Sequence, residues 1–385
     1  MGERAVIVGA CRTPLACLDG GLAGWDADDL AAHVIGDLMR RVPDVRIDDV
    51  LMATATGPGG NLARRALLAA GLPVAVPGMT LDRQCGGGLD AVMLACRLVE
   101  SGAGTAYIAG GVESATTSPL RGEASRDARA SGRGFFPRSA FAPDGEDDPG
   151  MAESAEDLAG RRGLARERQD AYAARSHARA VAAREAGVFD TEIAPCMRGD
   201  EVLARDECPR PGLTAERMAR IPSLVRREGT VTAGNSSQIA DGAAAVVVMA
   251  GAEARRRGLS GLCHVDGTTV GVAPRHPNLG AVAAVADLRR RDPRFDPRSV
   301  TRVAMTEAFA AQMLVTIDDV GLDPERVNPH GGAIALGHPW GASGAVQVVR
   351  LFADLADSDE DATGLALAAV AGGMGSAVRF EVARP

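Results

Sequence analysis

The 385-residue sequence contains no lysine; all 42 of its basic residues are arginine. That absence removes a phosphate-loop lysine, a Schiff-base lysine and any lysine general base. Aromatic residues make up only 3% against 46% hydrophobic residues overall, which describes a folded chain rich in Ala, Val and Leu. The seven cysteines, at 11, 17, 85, 96, 196, 208 and 263, are odd in number and include no Cys-x-x-Cys pair. Zinc and disulfide frameworks are disfavoured on that count, and a reducing cytoplasm is the expected compartment. No apolar run has the length of a membrane span, and Arg4–Gly9 is expected to be a first strand, not a signal peptide. The formal net charge of −8 argues against nonspecific nucleic-acid binding, although a local basic patch can still hold a phosphorylated ligand.

The length sets an expectation of two or more domains. Strands are expected at 5–9, 49–53, just before Cys85 and at 105–109, alternating with helices near 28–41, 62–70 and after Cys85. Such alternation indicates a mostly parallel sheet covered by helices. Composition then shifts. Arg121 to Pro149 is rich in Arg, Asp, Gly, Ser and Pro without a period, and polar, Ala-rich helices follow at 152–159 and 166–186. Regular structure resumes at Gly242–Met249, as though a sheet were interrupted by an insertion and then completed. A second α/β unit follows, with strands at 262–270, 300–306, 365–371 and 376–382 and helices at 280–291, 308–320 and 344–356. Each half places a Gly-rich turn before a helix, Cys85-Gly-Gly-Gly in the first and Gly341-Ala-Ser-Gly in the second, which hints at duplication.

Chemistry concentrates in four stretches. In Thr80–Val92, Cys85 precedes three glycines and then apolar residues at 89, 92, 93, 96 and 99, the spacing of one helical face. A helix N-terminus stabilises a thiolate, and glycines leave backbone N–H groups free to face an oxyanion. A buried cysteine beside a flexible turn is the alternative. In Asn328–Ala345, a histidine among glycines, beside a thiol, would accept its proton. His330 and His338 are eight apart, which is not a metal spacing, so no metal is expected. Thr306–Gln312 occupies a strand-to-helix junction, and Ala369–Gly375 is a glycine turn between strands.

Together these stretches resemble the thiolase family, in order and over essentially the full length. Cys85-Gly-Gly-Gly-Leu-Asp-Ala is similar to the family's nucleophile segment, Gly110-Gly-Val-Glu-Ser114 to its Gly-Gly-x-Glu-Ser, Thr232–Ser237 with Asp241–Ala244 to its CoA-side signature, and Gly331–Ala345 to its histidine loop. The resemblance implies an α/β, five-layered αβαβα fold made of two duplicated βαβαβαββ halves with an inserted loop domain. The halves would cover 1–118 with 234–262, and 263–385, with the insertion at 119–233. It also implies a homodimer or homotetramer, coenzyme A thioester substrates or carrier-protein thioesters, and no tightly bound cofactor. By position, Cys85 would take the acyl group and His338 would activate it. Arg210, Ser237 and Ala233 would contact coenzyme A, while Met151, Ala308 and Phe309 would border the acyl pocket. Backbone N–H groups of Cys85 and of the turn at Ala371 and Gly372 would form one oxyanion hole, and groups beside His338 the other.

The chain departs from the family pattern at several points. Ala369 stands where the family has a second catalytic cysteine, Ala371 replaces the first turn glycine, Gly150 replaces a loop-domain histidine, and Thr306 replaces the asparagine that fixes an oxyanion-hole water. Nucleophile and histidine are kept while the carbon-acid machinery is reduced. The expected function is a thiolase-like acyltransferase that loads Cys85 and passes the acyl group to an acceptor by altered chemistry. One alternative is conventional carbon–carbon condensation or thiolysis with another base, Glu307 first among them. The other is a non-catalytic subunit that binds acyl-CoA or an active partner.

Overall fold

Strand β1 (Ala5–Arg12), β5 (Ala106–Glu113) and β6 (Ala240–Ala250) are buried along almost their whole length, on both faces. A sheet with two apolar faces must be covered on both sides, and that requirement generates the layering seen in a computed structural model of the chain, which describes residues 3–122, 138, 140–358 and 361–384. Most of the expected excursion at Arg121–Pro149 therefore lies outside the described residues.

The remaining sheet strands are β2 (Ala16–Cys17), β3 (Asp49–Ala53), β4 (Gly78–Leu81), β7 (Gly261–Gly271), β8 (Arg302–Met305), β9 (Thr363–Val370) and β10 (Met374–Ala383). Their order across the sheet is β8-β9-β10-β7-β1-β6-β5-β3-β4, with β2 attached to β6. β3 runs parallel to both β4 and β5, and β8 parallel to β9. β6 lies antiparallel between β1 and β5 although residues 114–239 separate it from β5, so an inserted segment leaves the sheet and returns to complete it. The two half-sheets join only where Val6 and Ile7 of β1 meet Cys263 and Leu262 of β7.

Helices α1 (Ala27–Arg41) and α2 (Leu62–Ala69) cover the outer face of the first half-sheet. Alternate residues of β6 separate the cores. Ala243, Ala245, Val247 and Met249 pack outward toward α1, while Ala244, Val246 and Val248 face a central core. That central core is filled by α3 (Gly87–Glu100) and by α8 (Trp340–Leu355), which touch strands of both half-sheets. Between them in the chain come α4 (Met151–Arg162) and α5 (Arg166–Glu185), both in the inserted segment, then α6 (Gly280–Arg291) and α7 (Ala310–Val320). The last two cover the far face of the second half-sheet over a third core. Helix, sheet, helix, sheet, helix is thus the layer order, and no helix among the described residues is long and apolar enough to cross a membrane.

Two sequence expectations change. The Gly341–Gly344 stretch lies inside the first turns of α8 and not in a turn before it, and Gly87 and Gly88 likewise belong to α3. The reason is steric. A Cβ on Gly344 would run into the backbone of Leu89, one on Gly88 would meet Ala345 N at 2.7 Å and Gly341 O at 2.8 Å, and one on Gly87 would meet the Cβ of Ala53 at 2.8 Å. These glycines let two helices and a strand touch backbone to backbone, so their role is packing and not room for substrate. At an exposed helical site, Gly→Ala stabilises by about 1 kcal/mol. Gly344→Ala should do the opposite, costing about 2–3 kcal/mol as an overpacked core does. Denaturant unfolding measures it, and a neutral or stabilising result would mean that the crossing has slack.

Candidate active site

Cys85 follows β4 by way of Gln84, a non-glycine residue in the left-handed region with φ +46°. Such a conformation costs of order 1–3 kcal/mol and persists only where the surroundings impose it. Here the Gln84 N–H donates to Asp82 Oδ1 at 2.9 Å, and a 3-10 turn at Gln84–Gly86 feeds straight into α3. The turn leaves the Cys85 side chain half-buried at the floor of a cleft. His338 arrives from the other end of the chain, on the loop before α8. Its backbone N–H donates to Gln238 O at 2.8 Å, and Gly337 before it has φ +101°. Nε2 of His338 then lies 3.2 Å from Cys85 Sγ, while Nδ1 lies 2.6 Å from Ser343 Oγ one turn into α8. With Nδ1–H donating to the serine hydroxyl, the Nε2 lone pair faces the thiol.

The electrostatics run against the sequence expectation of a low-pKa thiolate. Burial, and after it the charge of Glu113, pushes the Cys85 thiol up to about 12. Burial alone pulls His338 down to about 4. The desolvation penalty on both charged forms outweighs the helix end, so the resting pair is thiol and neutral imidazole. A proton passing from Sγ to Nε2 would make an imidazolium that keeps its Nδ1–H bond to Ser343.

The cleft has a volume of about 760 Å³. Cys85, His338, Met151, Ser237, Ala308, Phe309, Ala369 and Ala371 all line it, so eight of the sequence-chosen positions converge. Four others do not. Gly372 sits at φ +83° in the β9–β10 turn, beside Phe141 O and off the cleft wall. Ala233 is exposed outside it. Arg210 is held at the rim, its guanidinium donating to Gln238 Oε1 at 2.7 Å and its N–H to Nδ1 of His177, a ring that burial holds neutral with its pKa down to about 4. Thr306 is buried elsewhere. Its hydroxyl accepts from Gln347 Nε2, and it faces a separate cavity of about 50 Å³ with Asn328, Pro339, Ser343 and Gln347. Gly337 and Pro339 line that cavity whereas His338 and Trp340 line the cleft, so the histidine loop is the wall between them.

Glu307 is not an available base either. Its carboxylate accepts from Tyr172 Oη at 2.9 Å, Ser176 Oγ at 2.6 Å, Asn328 Nδ2 at 2.9 Å and Ile334 N at 3.2 Å, and the residue is almost fully buried outside the cleft. Four donors on one carboxylate tie the inserted segment to the second half. Among the described residues lining the cleft, the only carboxylate is that of exposed Asp19 at the rim. No group of His, Cys, Asp and Glu among the described residues could hold a metal ion.

Sequence reasoning missed three contributors. Ser343 orients His338, and its spacing of five residues from the histidine was the available signal. Buried Glu113 accepts from Thr54 Oγ1, Ala55 N, Thr56 N, Thr56 Oγ1 and Gly341 N, all between 2.6 and 3.0 Å. It thereby fixes the N-terminus of α8 to the loop after β3. Gln347 pairs with Thr306, a contact only the fold reveals.

Known proteins resemble this chain over nearly its whole length. Residues 5–252 match the family model described as the thiolase N-terminal domain, and residues 253–382 match the thiolase C-terminal domain. A Bacillus subtilis (strain 168) protein provisionally named acetyl-CoA C-acetyltransferase YhfS is 40% identical over 381 residues, covering 98% of this chain and 99% of that one. A Staphylococcus haemolyticus (strain JCSC1435) protein provisionally named acetyl-CoA C-acetyltransferase VraB is 38% identical over 383 residues, covering 98% and 99%. The crystal structure of the Bacillus anthracis acetyl-CoA acetyltransferase superposes with a TM-score of 0.89 at 32% identity, covering 99% of each chain.

The neutral resting pair has a measurable signature. Iodoacetamide alkylation of Cys85 should be slow at pH 7 and rise about tenfold per pH unit without a plateau below about pH 10, because the thiolate fraction is small until the raised pKa is approached. A plateau near neutrality would reveal a preformed imidazolium–thiolate pair and overturn this assignment.

Proposed function

Because this chain belongs to the thiolase family, we propose that it is an acyltransferase that takes an acyl group from a coenzyme A thioester onto Cys85 and hands it to an acceptor without drawing a proton from carbon. Cys85 Sγ attacks the thioester carbonyl while His338 Nε2 accepts its proton. The same proton then leaves with the coenzyme A sulfur, so that one base serves both directions. The backbone around Cys85 and Ala371 is the candidate for steadying the oxyanion, and Ser237 with Met151, Ala308 and Phe309 for contacting the substrate. The single observation that carries the reading is Ala369, which lines the same cleft as Cys85 and His338 at the position where the family pattern has a second cysteine. With Glu307 committed to four donors and Thr306 outside the cleft, no substitute carbon base is at hand among the described residues.

Incubation with a reactive acyl-CoA should add one acyl mass to the protein, releasable by hydroxylamine and absent in Cys85→Ala. An adduct that persists in that variant, or maps to Cys11, Cys96 or Cys263, sinks the assignment.

The missing thiol gives a second expectation. General-base assistance is worth about 10²–10⁴ in rate, so condensation of acetyl-CoA or thiolysis of acetoacetyl-CoA should trail acylation by a factor of that order. Ala369→Cys should raise both, since the new thiol would enter the cleft where a methyl now sits. Robust condensation by the unmodified protein would instead favour the conventional reaction, run by a base not identified among the described residues.

A further inference from the structure

Two cysteines outside the mechanism lie side by side, one of them next to residues that line the cleft. Cys17 closes β2, and Cys208 lies 191 positions along in the inserted segment, yet their Sγ atoms are 2.8 Å apart. That is less than about 1 Å more than the ~2.0 Å of a disulfide bond. Both are free thiols. The segments that carry them are already laced together on either side. Glu207 N donates to Leu15 O at 3.0 Å, Leu15 N donates to Asp206 Oδ1 at 2.8 Å, and Gly21 N donates to the Glu207 carboxylate at 3.0 and 3.1 Å. The fully buried Arg12 anchors the same segment through Asp206, at 2.6 and 2.9 Å. Little movement separates the two sulfurs from a bond.

The geometry points to Cys17 and Cys208 as a dithiol that closes to a disulfide under a peroxide, forming an oxidisable tie beside the cleft. The two thiols differ in a way that assigns their roles. Cys17 is half-exposed and meets the oxidant, whereas Cys208 is almost fully buried and waits behind it. Burial and the neighbouring Cys17 push the Cys208 thiol well above the usual range, so it remains a thiol until a partner sulfur is activated. The Cys17 thiolate attacks one peroxide oxygen and the O–O bond breaks, leaving a Cys17 sulfenic acid and an alcohol or water. Cys208 Sγ then attacks Cys17 Sγ. The S–S bond forms, the S–O bond breaks, and the hydroxyl leaves as water with the Cys208 proton. Two thiols and one peroxide become one disulfide, one water and one alcohol or second water.

The position of the pair connects it to the site. Leu18 and Asp19, next to Cys17, line the cleft. Gln238 Nε2 donates to Cys208 O at 3.4 Å, Gln238 O receives the His338 N–H, and a Cβ on Gly337 would meet Cys208 Sγ at 3.3 Å. The tie would thus fasten the strand leading into one cleft wall to the segment that supports the histidine loop, without consuming Cys85.

Treatment of the full chain with a small excess of hydrogen peroxide, followed by denaturing alkylation, should leave two fewer of the seven thiols reactive. Peptide mapping should find Cys17 linked to Cys208, reversibly with dithiothreitol. The melting temperature of the oxidised protein should rise by several degrees, as expected of a cross-link closing so long a loop, and Cys17→Ser should abolish the rise. Cys208→Ser should stop the reaction at a Cys17 sulfenic acid that dimedone traps. Oxidation that yields only a sulfenic or sulfinic acid at Cys85, or any linkage that excludes residues 17 and 208, overturns the proposal. So does full retention of seven alkylatable thiols.

Discussion

Cys85 and His338 come from opposite halves of the chain, and what holds them 3.2 Å apart is the crossing of α3 and α8. At that crossing the helices touch at backbone distance, over Gly88 on one side and Gly341 and Gly344 on the other. Both side chains sit within a few residues of the contact, so a displacement of the crossing passes directly into the sulfur–nitrogen distance. Glu113 adds a second restraint on the same point by receiving the Gly341 N–H while holding Ala55 and Thr56. The outer layers matter to chemistry chiefly because they cover the half-sheets that clamp these two helices.

The same enclosure explains the charge state of the site. Burial beside this crossing raises the free energy of an isolated thiolate or imidazolium. The pair therefore rests uncharged, and the transition state must supply the reason to separate charge. Buried carboxylates show the other side of the same physics. Glu113 and Glu307 are tolerated in the interior because five and four donors respectively surround them. A carboxylate so fully satisfied cannot also be a mobile base, since drawing it toward substrate would leave several buried donors unpaired.

Much of this was legible in the sequence, for identifiable reasons. Helix α5 announces itself through its polar, Ala-rich composition and α7 through its stop at Gly321, whose φ of +76° is that of a left-handed C-terminal cap. The cysteine and histidine segments are legible because motif order survives where spacing alone is ambiguous. The role of the glycines was not legible, since a glycine needed for a turn and one needed for helix contact look identical until the partner helix is known. Nor was the exclusion of Thr306 from the cleft. Its position in the motif is the expected one, but Gln347, 41 positions away in α8, captures its hydroxyl. Long-range pairs such as Cys17 with Cys208 leave no trace in local pattern at all.

The loss at Ala369 bears on what an acceptor must be. In the proposed reaction, once Cys85 had been acylated and coenzyme A had departed with its proton, His338 would be neutral again. Its Nε2 would then draw a proton from an incoming O–H, N–H or S–H group held near the thioester, by the reverse of the step that loaded the enzyme. A heteroatom attacks through its own lone pair and sheds its proton as it does so, whereas an α-carbon must lose its proton before it can attack. Its deprotonation needs a base positioned on the carbon's side and donors on the enolate oxygen at once. The methyl group of Ala369 supplies neither. On the proposed reading, a heteroatom acceptor would ask for nothing beyond the base that His338 supplies, whereas a carbon acceptor would ask for a further group that Ala369 does not provide.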